Sequence, residues 1–265
     1  MHERQRWQVI LKTLAQQTVA TVAEIAEVTQ SSPATARRDV AKLAEQGLLR
    51  RVHGGAEAIA NDEPPALAAR AFDVSYAMNL DKKRAIAAAA AAMCSDGDSI
   101  IINGGTTTYE MVEFLAEKRM QIITNSFSLA DMLMRTSRNR ILIPGGQIYR
   151  EQNIILSPYE DDLLRHHYAS LMFMSAHGVS PIGVMENDPL LIRAEQRMLE
   201  RAERLVVLAD SSKFNSRGGL ILCPLQRIHT LITDDDIDQR TVEALRAAGV
   251  QVNIVPVSAQ SSSAA

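Results

Sequence analysis

The apolar positions of the first sixty residues recur at helical spacing, whereas those of the later chain gather into short unbroken runs. Trp7, Ile10, Leu11 and Leu14 make one face of a helix over residues 4–17. Val22, Ile25 and Val28 make a second helix, opened by Thr21 and Glu24 at the spacing of a capping box. After a polar turn at residues 29–32, Ser32 supplies an N-cap and Pro33 a first-turn residue without the donor that a helix start leaves unpaired. Val40 and Leu43 then face a core, with Leu48 beyond Gly47, which stops the helix. Residues 48–52 and 56–59 flank Gly54 and Gly55, a pair suited to the positive φ of a tight hairpin. The pattern predicts a helix-turn-helix followed by a hairpin wing.

From Asp81 the pattern alternates. Helices are predicted over residues 81–94, 106–118, 128–135, 189–202 and 237–249, and strands over 99–104, 120–125, 139–146, 168–176, 203–210, 229–234 and 250–255. Strands that alternate with helices predict a mainly parallel sheet covered on both faces, an α/β fold of Rossmann-like type. Between the two regions the polar, proline-stiffened residues 61–65 mark a boundary. The expected division is a winged helix-turn-helix domain at 1–60, a linker at 61–80, an α/β domain at 81–256 and a disordered tail at 257–265. A chain of 265 residues suits two domains.

Composition changes this picture little. The net charge of -3 hides an asymmetry, since residues 1–60 carry 8 Lys and Arg against 6 Asp and Glu. That surplus permits contact with DNA without demanding it. Cys94 and Cys223 lie far apart and outside any metal-ligand spacing, so both read as reduced structural thiols. The charged start of the chain lacks the apolar core of a secretory signal, and no run of about 18 apolar residues suggests a membrane span. A soluble, cytoplasmic protein is expected.

Two regions carry candidate chemistry. Thr35, Arg37, Arg38 and Lys42 remain on the outer faces of the third helix, where Arg can bind guanine bidentately and Lys or Thr can take phosphates. Arg50, Arg51 and His53 occupy the wing, in reach of phosphates or a minor groove. Read singly, all are equally ordinary surface charges. In parallel sheets ligands collect beyond the carboxyl ends of the strands. Four loops lie there: Asn103, Gly104, Gly105, Thr106, Thr107 and Thr108; then Thr124, Asn125 and Ser126; then Gly145, Gly146 and Gln147; then Asp210, Ser211, Ser212 and Lys213. Glycine amides, hydroxyls, a helix start and a lysine together suit a phosphate-bearing metabolite. Each loop also has a plainer reading, the glycines as turns, Thr106 and Ser126 as helix caps and Lys213 as a solvated charge. His166, His167 and His177 suit either a structural role or contact with a ligand carboxylate or hydroxyl.

The series Ser32, Thr35, Arg37, Arg38, Asp39, Leu49, Arg51, His53, Gly54, Gly55 and Ala56 resembles the winged helix-turn-helix of the DeoR family of bacterial transcriptional regulators. The resemblance continues through Asp81, Lys82 or Lys83, the glycine-threonine loop, the Thr124–Asn125–Ser126 turn, Gly145–Gly146 and residues 210–214, and covers the chain to about Pro256. It implies a sugar-phosphate sensor with a fold similar to ribose-5-phosphate isomerase. It also implies that Arg37 and Arg38 lie on the recognition helix, that Asp39 pairs with an arginine within the protein, and that Gly105, Thr106, Thr107, Asn125, Gly146 and Lys213 contact the effector, with Asp81 and Glu195 beside them. The sequence departs from the family's D-x-A-F-x-G-A-x-G pattern at residues 170–178, where Ser170 replaces the aspartate and His177 stands near its end. The function implied is a repressor of a carbohydrate or sugar-acid catabolic operon, acting as a homo-oligomer, dimer or tetramer, on double-stranded operator DNA. It would answer to a phosphorylated sugar or sugar-acid effector, without a cofactor, a metal or catalysis. The competing class is a sugar-phosphate isomerase of the same fold; a redox or metal sensor lacks clustered ligands.

Overall fold

A computed structural model describes residues 3–17, 19–45, 48–52, 54–57, 76, 78–150, 152–159, 163–216 and 218–257. These fall into two compact units, divided between Met78 and Asn79. The expected helix stop at Gly47, the wing residue His53, most of the linker and the tail from residue 258 lie outside the described residues.

The first unit holds α1 (Glu3–Gln17), β1 (Val19–Thr21), α2 (Val22–Val28), α3 (Pro33–Glu45), β2 (Arg50–Val52) and β3 (Gly55–Glu57). Ile10, Leu14, Ile25, Val40, Leu43, Leu49 and Ala56 form its core. The capping box opens α2 as expected: Thr21 Oγ1 accepts from Glu24 N, and Glu24 accepts from Thr21 N. Ser32 Oγ accepts from Thr35 N at 3.2 Å, which holds the start of α3. The sheet has a third strand that the pattern did not predict, in the order β1-β3-β2. Val19–Thr21, where the pattern marks Thr21 alone and only as a cap, pairs with the wing strand β3. The two glycines of the wing have different reasons to be glycine. Gly54 sits at φ +79°, whereas a Cβ on Gly55 would lie 2.2 Å from the carbonyl oxygen of Ala20.

Asp39 fixes α3 against α1. It is buried, and it accepts from Arg6 Nε at 2.6 Å, Arg6 Nη2 at 3.1 Å and Trp7 Nε1 at 3.1 Å. The expected intraprotein arginine partner is therefore Arg6, 33 residues away. Asp39→Ala should lower the unfolding temperature of this unit by several degrees, because it strands an indole N–H and a guanidinium together. Circular dichroism melting of the full chain, with DNA binding measured at the same temperatures, checks this. An unchanged melt would show that the contact holds nothing.

The second unit is a three-layer α/β domain. It contains α4 (Leu80–Ala92), β4 (Ser99–Ile102), α5 (Thr106–Tyr109), α6 (Met111–Leu115), β5 (Gln121–Thr124), α7 (Phe127–Thr136), β6 (Arg140–Leu142), β7 (Gln147–Tyr149), β8 (Ile154–Leu156) and β9 (Ala169–Ser175). β10 (Gly178–Ser180), β11 (Gly183–Glu186), α8 (Pro189–Leu199), β12 (Ala202–Leu208), β13 (Leu220–Cys223), β14 (Ile228–Asp234), α9 (Gln239–Ala247) and β15 (Gln251–Val255) complete it. The main sheet runs β15-β14-β12-β9-β4-β5-β6, with every pairing parallel. Alternate residues along each strand face opposite layers. Ile100, Ile102, Phe173, Val206 and Ile232 pack with α4, α6 and α7, while Ile101, Met172, Met174, Val207 and Leu231 pack with α8 and α9.

Three features differ from the pattern. The helix expected over 106–118 is broken at Glu110 into α5 and α6. Three consecutive β-branched threonines are weak helix formers, and Thr108 Oγ1 donates back to Asn103 O or Gly105 O, each at 3.0 Å. The antiparallel hairpin β7-β8 and the small sheet β10-β11-β13 were also unforeseen. Among the described residues no helix is long and apolar enough to cross a membrane.

Candidate functional site

α3 buries Ala36, Asp39, Val40 and Leu43 and turns the rest outward. Arg37 and Arg38 are exposed, as is Ser32, while Thr35 and Lys42 are half-buried. The Ser32 and Thr35 hydroxyls are 2.9 Å apart and share a hydrogen bond, so both also serve the helix start. Lys42 pairs with Glu3 of α1, an exposed pair of little energetic weight. In the wing Arg50 and Arg51 are exposed, and Arg50 lies 3.7 Å from Glu57 across the hairpin. A helix with a buried stripe, two free-standing arginines opposite it and a basic hairpin after it is the geometry of a major-groove reader.

In the second unit, β4 leads outward to β5 and β6, whereas its neighbour β9 leads the other way to β12, β14 and β15. The carboxyl ends of β4 and β9 are therefore the topological switch point of the sheet, the place where open α/β sheets bind ligands in a crevice. Asn103 lies at this point. Its Nδ2 donates to Glu195 Oε1 at 2.7 Å and to Ser175 O at 3.2 Å, and its Oδ1 accepts from Ser175 N at 2.9 Å. Ser175 Oγ in turn accepts from Thr108 N at 3.0 Å. Gly104 N donates to Asn125 Oδ1 at 2.8 Å, and Asn125 O accepts from Ile155 N at 2.7 Å, which ties the loops after β4 and β5 to the β7-β8 hairpin.

The charges around this crevice are perturbed. Burial pushes the Lys83 ammonium down to about 8; nearby Lys213 adds to the fall, while Asp210 and Glu110 oppose it. Burial pushes the Glu195 carboxyl up to about 8, reinforced by Glu186 and Asp188 and opposed by the Asn103 hydrogen bond. Glu186 is raised too, chiefly by burial, against the Asn187 and Asp188 amides and the Lys213 charge. Lys213 thus stands within electrostatic reach of both Lys83 and Glu186. Buried lysine and carboxyl groups are thus gathered at one strand edge, the kind of group that can pair with a charged, hydroxylated molecule.

A model described as the DeoR-like helix-turn-helix domain matches residues 6–62, and one described as the DeoR C terminal sensor domain matches residues 78–235. The chain belongs to the DeoR family. It is 39% identical over 254 residues to the HTH-type transcriptional regulator UlaR of Shigella dysenteriae serotype 1, across 95% of this chain and 99% of that one. The UlaR of Shigella flexneri is 38% identical over the same shares. Solved structures similar to it include ribose 5 phosphate isomerase A from Neisseria gonorrhoeae, with TM-score 0.37 and 20% identity over 51% of this chain and 53% of that one. Another is eIF2B beta from Chaetomium thermophilum, with TM-score 0.40 and 12% identity over 85% and 65%. The chain is accordingly a DeoR-type transcriptional regulator.

Within this DeoR-family sensor unit, the structure gathers some of the sequence-selected residues and sets others apart. Asn103, Gly104, Gly105, Thr108, Asn125 and Glu195 join one hydrogen-bonded or packed network, Gly105 because a Cβ there would lie 2.4 Å from Ser175 Cβ. Thr106 is half-buried and Thr107 buried on the single turn of α5. Because α5 has only four residues, the helix dipole expected there is that of one turn. Ser126 caps α7, its Oγ accepting from Leu129 N at 3.2 Å. Gly145 and Gly146 are exposed beyond the outer strand β6, and a Cβ on Gly146 would lie 2.2 Å from Leu156 O, so that glycine serves the hairpin. Asp81 is exposed on the first turn of α4. His177 Nε2 lies 2.8 Å from Asn187 Nδ2, and His167 Nδ1 lies 2.8 Å from Leu163 O. His166 is exposed.

The departure at Ser170 is at the wrong end of β9 to affect a ligand, for Ser170 Oγ donates to Ser99 O at the amino ends of the strands. The departure that reaches the crevice is Ser175, which stands at the first glycine of the family pattern, while the second is kept as Gly178. Residues 170–178 held that signal, but only the strand register shows which of them lies at the edge. Lys83, Glu186 and Asp188 were also missed; of these only Lys83 stood within a stretch carrying the family resemblance.

Proposed function

We propose that this regulator represses a carbohydrate or sugar-acid catabolic operon and is released when a phosphorylated sugar or sugar-acid effector enters the crevice between β4 and β9. In this reading residues 1–60 bind operator DNA, 61–80 connect, 81–256 receive the effector, and 257–265 form a tail. Lys83 and Lys213 take the phosphoryl group with the amides of Gly105 and Thr106, and Asn103 and Glu195 meet the hydroxyls. The observation that carries this reading is the convergence of Lys83, Lys213, Asn103 and Glu195 at the switch point of a sheet whose chain also bears a recognition helix. Two copies reading half-sites about one DNA turn apart, as a dimer or within a tetramer, suit the winged unit. Effector and operator must then change each other's affinity by the same factor.

A thermal-shift screen against phosphorylated sugars and sugar acids identifies the effector, because a ligand that binds the native state stabilises it. Lys213→Ala should then weaken that effector by about tenfold to a hundredfold, the loss of one charge-assisted hydrogen bond, and leave effector-free DNA binding intact. Loss of both activities would make Lys213 structural. Turnover of any pentose or hexose phosphate by the purified chain would replace this reading with the isomerase one.

A further inference from the structure

Lys82 has no part in the effector contacts above, yet its ammonium meets three partners at the start of α4. Its Nζ donates to Ser211 Oγ at 2.7 Å and pairs with Asp234 Oδ1 at 2.7 Å and Asp236 Oδ2 at 2.6 Å. Asp234 is fully buried at the end of β14, and its Oδ2 accepts from Ser211 N at 2.6 Å. Asn79, which precedes α4 in a left-handed conformation at φ 53°, donates from Nδ2 to Asp210 Oδ1 at 3.1 Å and Ser212 Oγ at 3.5 Å. Asp210, Ser211 and Ser212 are thus each bonded to the start of α4. Asp210 caps, and Ser211 and Ser212 open, the short 3-10 helix Ser211–Asn215 that carries Lys213. A helix of five residues is too short to be stable alone, so beyond its Asp210 cap it depends on these bonds from outside.

The start of α4 has a second property. Among the described residues the boundary between the two compact units falls between Met78 and Asn79, so the residues that hold the Lys213 turn stand at that boundary. An anion drawn to Lys213 pulls on a turn whose serines and aspartate are bonded to Asn79 and Lys82. We propose that Lys82 is the positioning residue of the Lys213 turn, and that with Asn79 it transmits the occupancy of that turn to the segment entering from the DNA-binding unit. This rests on the reading of Lys213 as an anion contact. It adds a route, made of a two-residue clamp, for coupling between sites that the effector reading leaves unspecified.

The test is amide hydrogen exchange on the full chain, with and without inorganic phosphate, in wild type, Lys82→Met and Lys82→Arg. Without phosphate, Lys82→Met should speed exchange at residues 211–213 by about tenfold, the effect of losing a charge-assisted hydrogen bond, and Lys82→Arg should restore most of it. With phosphate, wild type should slow at both 209–216 and 78–86, and Lys82→Met at 209–216 alone. Unchanged exchange at 211–213 in Lys82→Met overturns the positioning role. Slowing of both stretches in that variant overturns the transmission. A wild-type chain whose turn ignores phosphate overturns the anion reading of Lys213 and the transmission with it, while the phosphate-free comparison still decides the positioning role. If Lys82→Met loses protection in the sheet strands, Asn79→Ala, which leaves Asp234 paired, takes its place.

Discussion

Glu195→Gln should raise the unfolding temperature of the sensor unit at pH 8 and flatten its dependence on pH. Glu195 is 4% exposed and accepts from Asn103 Nδ2 at 2.7 Å. Burial, with the charges of Glu186 and Asp188, lifts its pKa from 4.5 to about 8 despite that hydrogen bond. Between those values the folded chain holds a proton that the unfolded chain has released. Stability therefore falls as pH rises through that window and is fully reduced above about pH 8. At about 1.36 kcal/mol per unit the ceiling is on the order of 5 kcal/mol, shared with Glu186, so a gain of roughly 2 to 4 kcal/mol is expected from the glutamine. Glutamine stays neutral and keeps an oxygen for Asn103. Melting curves of both proteins at pH 5 and pH 8 decide the matter, with the gain expected at pH 8 and nearly absent at pH 5. An equal shift at both values, or a less stable variant at pH 8, would show that burial does not govern this carboxyl.

The same neutrality gives Glu195 a use. A protonated carboxyl that receives the Asn103 amide on one oxygen has a proton to donate from the other, so near neutral pH it can meet a ligand hydroxyl or carbonyl as a donor. A neutral glutamine can reproduce part of that contact through its amide. The stabilised variant is therefore expected to bind effector with altered selectivity, in keeping with the general conflict between stability and function at binding sites.

What the chain disclosed by inspection was whatever is local or periodic. The runs that became β4, β9, β12 and β14 are apolar because both faces of a parallel sheet are covered, and the capping box and Ser-Pro helix start are signals confined to a few adjacent residues. The β7-β8 hairpin and the β10-β11-β13 sheet escaped notice because their strands are three or four residues long, too short for a period to show even where β8 and β13 are wholly apolar. The crevice itself is a long-range product. Asn103 and Glu195 are 92 residues apart, and Ser175 reaches Thr108 across 67, distances at which neither spacing nor composition carries a trace. Lys82 shows the same limit on the sequence side. It reads as one of several charges in a basic start to α4, and only the fold reveals that it faces Asp234 while its neighbour Lys83 is buried beside Asp210.

Arg37→Ala should reduce discrimination between operator and unrelated DNA by roughly 1 to 3 kcal/mol, the contribution of a bidentate contact to guanine. Arg37 is exposed on the second turn of α3, next to buried Ala36 and one residue removed from buried Asp39. Its fold neighbours are thus already satisfied without it: Asp39 is bonded to Arg6 and Trp7, and α3 is held by Val40 and Leu43 in the core. Removing the guanidinium should leave the unit folded, so a change in binding reports on DNA rather than on stability. Operator fragments can be selected from a random library with the wild-type chain, then titrated with both proteins beside a scrambled fragment at two salt concentrations. If Arg37 reads a base, operator affinity falls, scrambled affinity barely moves and the salt slope is nearly kept. If it contacts only a phosphate, both affinities fall together and the slope drops by about one. Arg50→Ala in the wing provides the contrast. Its side chain is exposed and lies 3.7 Å from Glu57, an arrangement suited to backbone contact, and its loss should weaken both fragments alike.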